Sequence, residues 1–503
     1  MGPVESSPRA AAYSELSHGQ LLKRLAASIS IYTVGVFTTR FGALLLVPIY
    51  WRVLTPSDYG ILAGAGIVTA VLSPLLGLAT PESIIRFYKL WPASQRRDRL
   101  GNAWTFDWLT SILIGGAIAL LSGPLLRPIF HTVPVDPCLR IAVIIGTLSS
   151  FAASPLVVLR VEEADKKYVA LSISSFLLQT VLILFLVVYA RRGALGVLQG
   201  QAIAGALMIP VYALLMFRRA RPQLRVNYTR EALAYSLPLV PGSLIESFNP
   251  VTDRFVLEKY VGLGTLGIYG LADTFASIVR TVGSAIKSAW VPFQIRLAVE
   301  RPDAKMVMAR SADQIALAIF TVGLSLAVLC DDLITAIGKP AYFSVSKYLV
   351  PLIIPYALAA LQPVFGTGFL IARKTSYAWA IAVTHLIVSL GTAFLLVPRL
   401  GVLGAILASI LGYGSRFLVG LYLSQTAYHI SFHWGKLAVL AGGALAGYGI
   451  SLLLPAPPSY VGGALRFVLV LAFFPSMFAF VSGKSVALRS ARQMWPRFSA
   501  RPR

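Results

Sequence analysis

Ten ionisable side chains lie within stretches that are otherwise apolar: Arg40, Asp107, Glu246, Asp253, Arg254, Asp273, Arg280, Lys287, Arg416 and Arg466. At a bilayer centre each would cost about 2.5–3.5 kcal/mol on insertion scales, so such groups face water or one another. Asp273, Ser277, Arg280, Ser284 and Lys287 recur at steps of four, three, four and three. At ~100° per residue they share one helical face. A polar stripe of that length is untenable against lipid. Two readings stand: it lines a lumen, or it forms an ion-pair seam between two lobes. The mid-depth place of Arg280 favours the lumen.

Further faces follow from the same spacing. Glu246, Asn249 or Pro250, and Asp253 fall together, in a stretch also carrying Pro238 and Pro241. Proline lacks the N–H that would bond to the preceding turn, so carbonyls are freed there. No partner for Glu246 or Asp253 is evident from sequence, although a neighbouring arginine could pair with Asp253. Ser409, Tyr413 and Arg416 share a face, as do His385, Ser389 and Thr392. His385 alone reads as a hydrogen-bonded packing residue. Arg466, near the start of the last apolar run, is expected to snorkel towards the membrane surface.

This set suits anion binding. The planar guanidinium fork donates two bonds at once to a phosphate. Arg40, Arg280, Lys287 and Arg416 are therefore candidate cations for an anionic head group, and the Ser277 and Ser284 hydroxyls candidate partners for a polar ligand. Glu246, Asp253, Asp107 and Asp273 are candidates for coupling to H+ or Na+. There is no G-x-x-x-x-G-K run and hence no ATP site. Cys138 and Cys330, the only cysteines, form no metal cluster, and no cofactor or catalytic residue is expected. Both are expected near the outer surface, unpaired.

The elements that must position these residues are long. The chain has 503 residues, 57% hydrophobic and 13% charged, with a mean hydropathy of +0.74. Soluble domains carry about 25% charged residues. A soluble fold and a disordered chain are both excluded. Runs of helix length, rather than alternation over ~10 residues, exclude an outer-membrane barrel. The sequence predicts an all-α integral membrane protein with fourteen spans of roughly 20 residues each. They cover 28–51, 60–80, 102–122, 139–160, 169–190, 194–217, 234–257, 264–290, 313–331, 347–372, 376–397, 402–424, 435–454 and 461–481.

The net charge of +24 does not point to nucleic acid, because the basic residues cluster beside the spans. With the N-terminus inside, the inner segments hold 29 Lys and Arg and the outer segments 9. That bias places both termini in the cytoplasm. Loops are short, leaving no extramembrane domain. The stretch LSHGQLLKRLA within 16–27 reads as either an amphipathic surface helix or a frayed tail.

Two stretches echo each other: RFGALLLVPIYWRVLTPSDYG from Arg40 and DRFVLEKYVGLGTLGIYG from Asp253. Beyond each Tyr-Gly the register holds, with Arg86 and Arg296 both 26 residues after Gly60 and Gly270. The chain then reads as a cytoplasmic segment (1–27), a first six-span lobe (28–217), a cytoplasmic loop (218–233), a second lobe (234–424), two added spans (435–481) and a basic cytoplasmic tail (482–503). Parallel repeats of this kind build transporter halves.

The opening hairpin, TTRFGALLLVPIYWRVLTPSDYGILA, resembles the polysaccharide transporter family, the Wzx-type flippases of the multidrug/oligosaccharidyl-lipid/polysaccharide (MOP) superfamily. LTPSDYG is its most specific element. The resemblance implies a secondary transporter, not an enzyme, in the bacterial inner membrane. Its cargo would be a lipid-linked oligosaccharide on a polyprenyl diphosphate, its surroundings membrane lipids, and its partners polysaccharide-assembly proteins. A cation-coupled multidrug exporter and a lipid II flippase are alternatives within the superfamily. A membrane polymerase or ligase fits the short outer loops poorly.

Overall fold

A computed structural model describes residues 47–457 and 459–482. Among the described residues every regular element is helical and no strand occurs. Helices of eight or more residues are α1 (Pro56–Leu76), α2 (Thr80–Phe87), α3 (Ala93–Leu120), α4 (Arg140–Ser150), α5 (Ala153–Val161), α6 (Asp165–Leu184), α7 (Gly193–Phe217), α8 (Val226–Ser236), α9 (Val240–Phe248), α10 (Thr252–Tyr260), α11 (Leu263–Glu300), α12 (Ala304–Ile337), α13 (Val345–Phe365), α14 (Tyr377–Leu400), α15 (Val402–Ala427), α16 (Trp434–Leu452) and α17 (Tyr460–Ser482).

Eleven helical segments among the described residues are long and apolar enough to cross a membrane. The count of fourteen is therefore not reproduced, for three reasons. The run 28–51 lies mostly outside the described residues, as do Arg40 and the stretch 16–27. The run 234–257 is divided into α8, α9 and α10 by 3-10 turns at Leu237–Leu239 and Asn249–Val251. Pro238 and Pro250 sit in those turns, where each removes a helical donor. The run 264–290 is one continuous helix, α11, 38 residues long. Its polar stripe keeps it out of the apolar set.

The LTPSDYG motif is a helix start. Thr55 accepts from the Asp58 N–H at 3.2 Å, while the Asp58 carboxylate accepts from the Thr55 N–H and hydroxyl at 2.8 and 2.7 Å. This reciprocal cap satisfies donors that a helix N-terminus leaves open. Pro56 at the first helical position costs nothing, since its missing N–H has no partner there. α1 ends at Leu76, with Leu78 and Ala79 both left-handed (φ 46° and 55°). The helix that carries the second Tyr-Gly, α11, runs on unbroken through Pro292.

The chain forms two compact units. Among the described residues the first comprises 47–53, Leu72–Ser122 and Arg140–Val240. Its core holds Ile84, Trp91, Leu100, Trp104, Val158 and Met216. Glu162 accepts from the Tyr88 hydroxyl at 2.8 Å and from Arg219 at 2.9 Å, joining α2, α5 and α7 at one end. Burial, and then the bond to Glu162, hold the Tyr88 phenol above its ordinary pKa, so it stays a donor. Asp107 of α3 is fully buried and accepts from Ser154 of α5.

Among the described residues the second unit comprises Leu54–Val71, Gly123–Leu139, 241–457 and 459–482. Where α1 meets α11 the backbones touch. A Cβ on Gly60 would lie 2.1 Å from the Leu263 carbonyl oxygen, and one on Gly267 1.8 Å from that of Pro56. Only glycine fits either place. One sequence expectation fails in this unit. Arg466 does not snorkel: it is buried, donating to Asp332 at 2.8 Å and to the Pro455 carbonyl at 2.8 Å. Asp332, itself only partly exposed, and a main-chain carbonyl give it partners where it stands. Cys138 and Cys330 are unpaired as expected, and both are buried.

Candidate functional site

The second unit gathers most of the ionisable residues that the sequence singled out. Asp253 and Arg254 are adjacent on α10 and point to different partners. Arg254 is ion-paired with Asp273 of α11. Asp253 accepts from the Tyr269 hydroxyl of α11, and from Ser409 of α15 at 3.0 Å. Asp273 accepts a second bond, from Tyr356 of α13. Asp253, Asp273, Tyr269 and Tyr356 are all buried. A buried charge persists only when paired and hydrogen-bonded, and here each carboxylate has two or more donors.

Arg280, two turns further along α11, lies over the Tyr356 ring at 5.1 Å. Its charge faces the ring's negative quadrupole. Among the described residues no carboxylate lies within ion-pair distance of it, because Asp273 is taken by Arg254 and Tyr356. Arg416 of α15 takes a different partner, donating to both oxygens of Glu246 on α9 at 3.0 and 3.2 Å. Tyr413, one turn before Arg416, has its ring 5.8 Å from Tyr356 and 4.5 Å from the buried His385. His385 packs against the Tyr413 ring, but neither of its ring nitrogens has a hydrogen-bond partner among the described residues, so the hydrogen bond expected of it from the sequence is not found.

The site therefore holds two arginines in direct ion pairs and one, Arg280, that rests on a tyrosine ring with no carboxylate within 4.0 Å among the described residues. The stripe on α11 grades along its length. Asp273 is buried, Ser277 and Arg280 are half-buried, and Ser284 and Lys287 are exposed. The two serine hydroxyls each donate to a carbonyl one turn back, at 2.7 Å, and keep their lone pairs for an incoming donor. Two candidates do not join this group. Arg40 lies outside the described residues, and Asp107 belongs to the first unit.

Glu246 and Asp253 are not unpartnered: Arg416 and the pair Tyr269 and Ser409 hold them. Sequence reasoning missed Tyr269 and Tyr356. Tyr269 stands four residues before Asp273, so its place on the same face was legible from spacing. Nothing in the sequence marks Tyr356, which reaches the site from a helix more than fifty residues away. No group of three or more His, Cys, Asp or Glu that could hold a metal ion occurs among the described residues.

Residues 49–339, more than half of the chain, match the model of the family described as polysaccharide biosynthesis protein. The chain belongs to that family. No curated protein matches it by sequence. Its fold is that of the MOP superfamily. A structure of the lipid II flippase MurJ in an inward closed conformation aligns with a TM-score of 0.74 at 11% identity, over 90% of this chain and 99% of that one. An inward-facing multidrug resistance transporter of the MATE family aligns at 0.62 and 15% identity, over 82% and 99%. The MATE transporter VcmN of Vibrio cholerae aligns at 0.57 and 16%, over 80% and 98%. These neighbours are named as transporters or flippases, not as enzymes. The resemblance of the opening hairpin is borne out, and so is the all-α membrane fold.

Proposed function

We propose that this member of the polysaccharide biosynthesis family flips a lipid-linked oligosaccharide, carried on polyprenyl diphosphate, from the inner to the outer leaflet of the bacterial inner membrane. The observation that carries the reading is Arg280, a half-buried guanidinium with no carboxylate in reach among the described residues. In a low-dielectric setting an uncompensated cation is costly, and an anionic ligand relieves that cost. A diphosphate matches its planar fork. The graded stripe then reads as a path: Lys287, Ser284 and Ser277 meet the head group, and Arg280 holds the diphosphate. Sugar hydroxyls, each costing ~2–7 kcal/mol if buried unpaired, find partners along it, while the polyprenyl tail stays in lipid.

In this reading both termini are cytoplasmic, and the two six-span lobes alternate in opening to either side. Coupling to H+ or Na+ runs through Glu246. Its carboxylate and the substrate diphosphate compete for Arg416, so a cation bound to Glu246 releases Arg416 to the head group. Asp253, already holding two hydroxyls, is the second candidate. A multidrug exporter of organic cations fits an uncompensated arginine poorly. A lipid II flippase shares the diphosphate chemistry, so the test carries both cargoes.

The experiment measures flipping in proteoliposomes with a short-chain lipid-linked oligosaccharide and, separately, lipid II. Arg280→Ala is expected to abolish flipping while membrane insertion and protein level hold. Arg280→Lys should keep little activity if the two-bond fork matters. Wild-type flipping by the alanine variant would remove Arg280 from the mechanism. Transport of lipid II alone would change the cargo.

A further inference from the structure

Asp107 of α3 is 1% exposed and lies within the first unit. One of its carboxylate oxygens accepts from the Ser154 hydroxyl. The other has no partner, and no lysine, arginine or histidine pairs with the acid among the described residues. A buried charge is ordinarily paired or bound to a metal. The unpartnered oxygen lies against Gly77, where any Cβ would overlap it. Gly77 follows the last residue of α1, and α2 starts three residues later, at Thr80.

Two more buried oxygens belong to this neighbourhood. Ser111 stands one turn after Asp107 on the same face of α3, and Thr80 opens α2 beside Gly77. Both residues are fully buried, and neither hydroxyl has a hydrogen-bond partner. The chain between the helices adds carbonyls. Leu78 and Ala79 are left-handed, so the helical ladder stops there. Among the described residues no main-chain N–H donates to the Leu76 or Leu78 carbonyl. The amides that open α2 do not serve the carboxylate. Those of Thr80 and Glu82 donate to the Gly77 and Ala79 carbonyls at 2.9 and 3.0 Å, and Pro81 has none. The break therefore offers Asp107 further oxygens rather than donors, at the negative end of the α1 dipole. At broken spans of transporters, unwound carbonyls and half-helix C-terminal ends are where Na+ is coordinated.

From this we infer that Asp107, Ser111 and Thr80, with the main chain at the break between α1 and α2, bind a small monovalent cation, sodium. Charge fixes the class. One carboxylate balances one positive charge, whereas a divalent ion would leave a buried excess. Carboxylate, hydroxyl and carbonyl oxygens are hard ligands that suit such an ion. A site of this kind needs a single acid, so it requires no cluster of His, Cys, Asp or Glu. It lies wholly within the first unit, apart from Glu246 and Arg416 of the second. It depends neither on the cargo nor on the orientation of the chain.

The test follows the thermal melt of the purified protein in detergent as sodium chloride replaces choline chloride at constant ionic strength, so that screening does not change. An ion bound only by the folded state stabilises it as the logarithm of its concentration. The wild-type midpoint should therefore climb with sodium. Asp107→Asn should melt close to wild type in choline and lose most of the climb. Thr80→Val and Ser111→Ala each remove one oxygen with little change of shape. Each should need roughly three- to tenfold more sodium for the same climb, and they decide the matter if the asparagine variant is not recovered from the membrane. Thr80→Ser keeps the hydroxyl and should respond like wild type. A wild-type melt indifferent to sodium would overturn the site. An equal climb in Asp107→Asn would overturn it too, by placing the ion elsewhere, and would leave the flippase reading untouched. A melt that follows pH but not sodium would show that the acid takes a proton instead, and the sodium site would fall.

Discussion

Two buried acids, Asp273 of the second unit and Asp107 of the first, are held in opposite ways. In the second, Asp253, Arg254, Asp273 and Arg280 are crowded onto α10 and α11, and tyrosines from α11 and α13 complete their bonds. In the first, Asp107 stands alone, with Ser154 as its donor, one oxygen unpaired and no cation beside it among the described residues. A network of both signs is held by mutual dependence: remove one member and another is left uncompensated. A lone acid has no such dependants. The contrast teaches where substitution should be costly, and it can be broken by experiment.

The largest effect is expected at Asp273. Asparagine keeps the shape but leaves the Arg254 guanidinium buried without its counter-charge. Breaking one side of a buried pair costs about 3–5 kcal/mol. The thermal melt of purified Asp273→Asn should fall accordingly, and adding Arg254→Gln should recover part of the loss, since the guanidinium that Asp273 held is then gone. A melt unchanged from wild type would mean that Arg254 has water or another acid in reach, and the network would lose its meaning.

How far this was readable in advance depends on distance along the chain. The face of α11 was legible, because Asp273, Ser277, Arg280, Ser284 and Lys287 obey a local period. Arg416 was legible as a polar position of its helix, though not as the partner of Glu246, 170 residues earlier. Pairings of that kind depend on which helices pack, and hydropathy carries no record of it. Asp332 and Arg466 show the same limit: spacing suggested a snorkelling arginine where packing supplied an acid. The bonds of the buried Glu258 were invisible for a further reason. They come from the main-chain N–H groups of His131, Thr132 and Val133, which every residue type but proline has, so no pattern of side chains announces them. The prolines of 234–257 were legible as places where carbonyls are freed, though the run still read as a span; the break at Leu78 and Ala79 was not legible, because neither residue type favours left-handed backbone.

A middle-sized effect is expected at Glu246, whose side chain is 52% exposed although its partner Arg416 is mostly covered. A pair this open contributes less than about 1 kcal/mol. Glu246→Gln should therefore melt close to wild type. Its consequence should appear in coupling. Flipping in proteoliposomes should lose its response to an imposed H+ or Na+ gradient, while binding of the lipid-linked sugar survives. If Asp253→Asn loses that response and Glu246→Gln keeps it, the coupling site moves to Asp253. If both keep it, Asp273 and Asp107 become the residues to change.

The smallest effect is expected at Asp107, and it sharpens the contrast most. Asparagine retains a carbonyl oxygen to accept from Ser154. It also matches aspartate in size, so it fits the space beside Gly77, where a Cβ would come within 2.1 Å of the carboxylate oxygen. Among the described residues it orphans no cation. In the absence of sodium, the stability change should stay within about 1 kcal/mol, the range of one neutral hydrogen bond. The comparison with Asp273→Asn uses the same chemical change, Asp to Asn, at two buried sites, so side-chain size and helix propensity cancel between them. What differs is whether an arginine depends on the acid. A loss at Asp107 as large as that at Asp273 would show that its charge is held by a cation in the folded protein, and the two units would then manage buried charge alike.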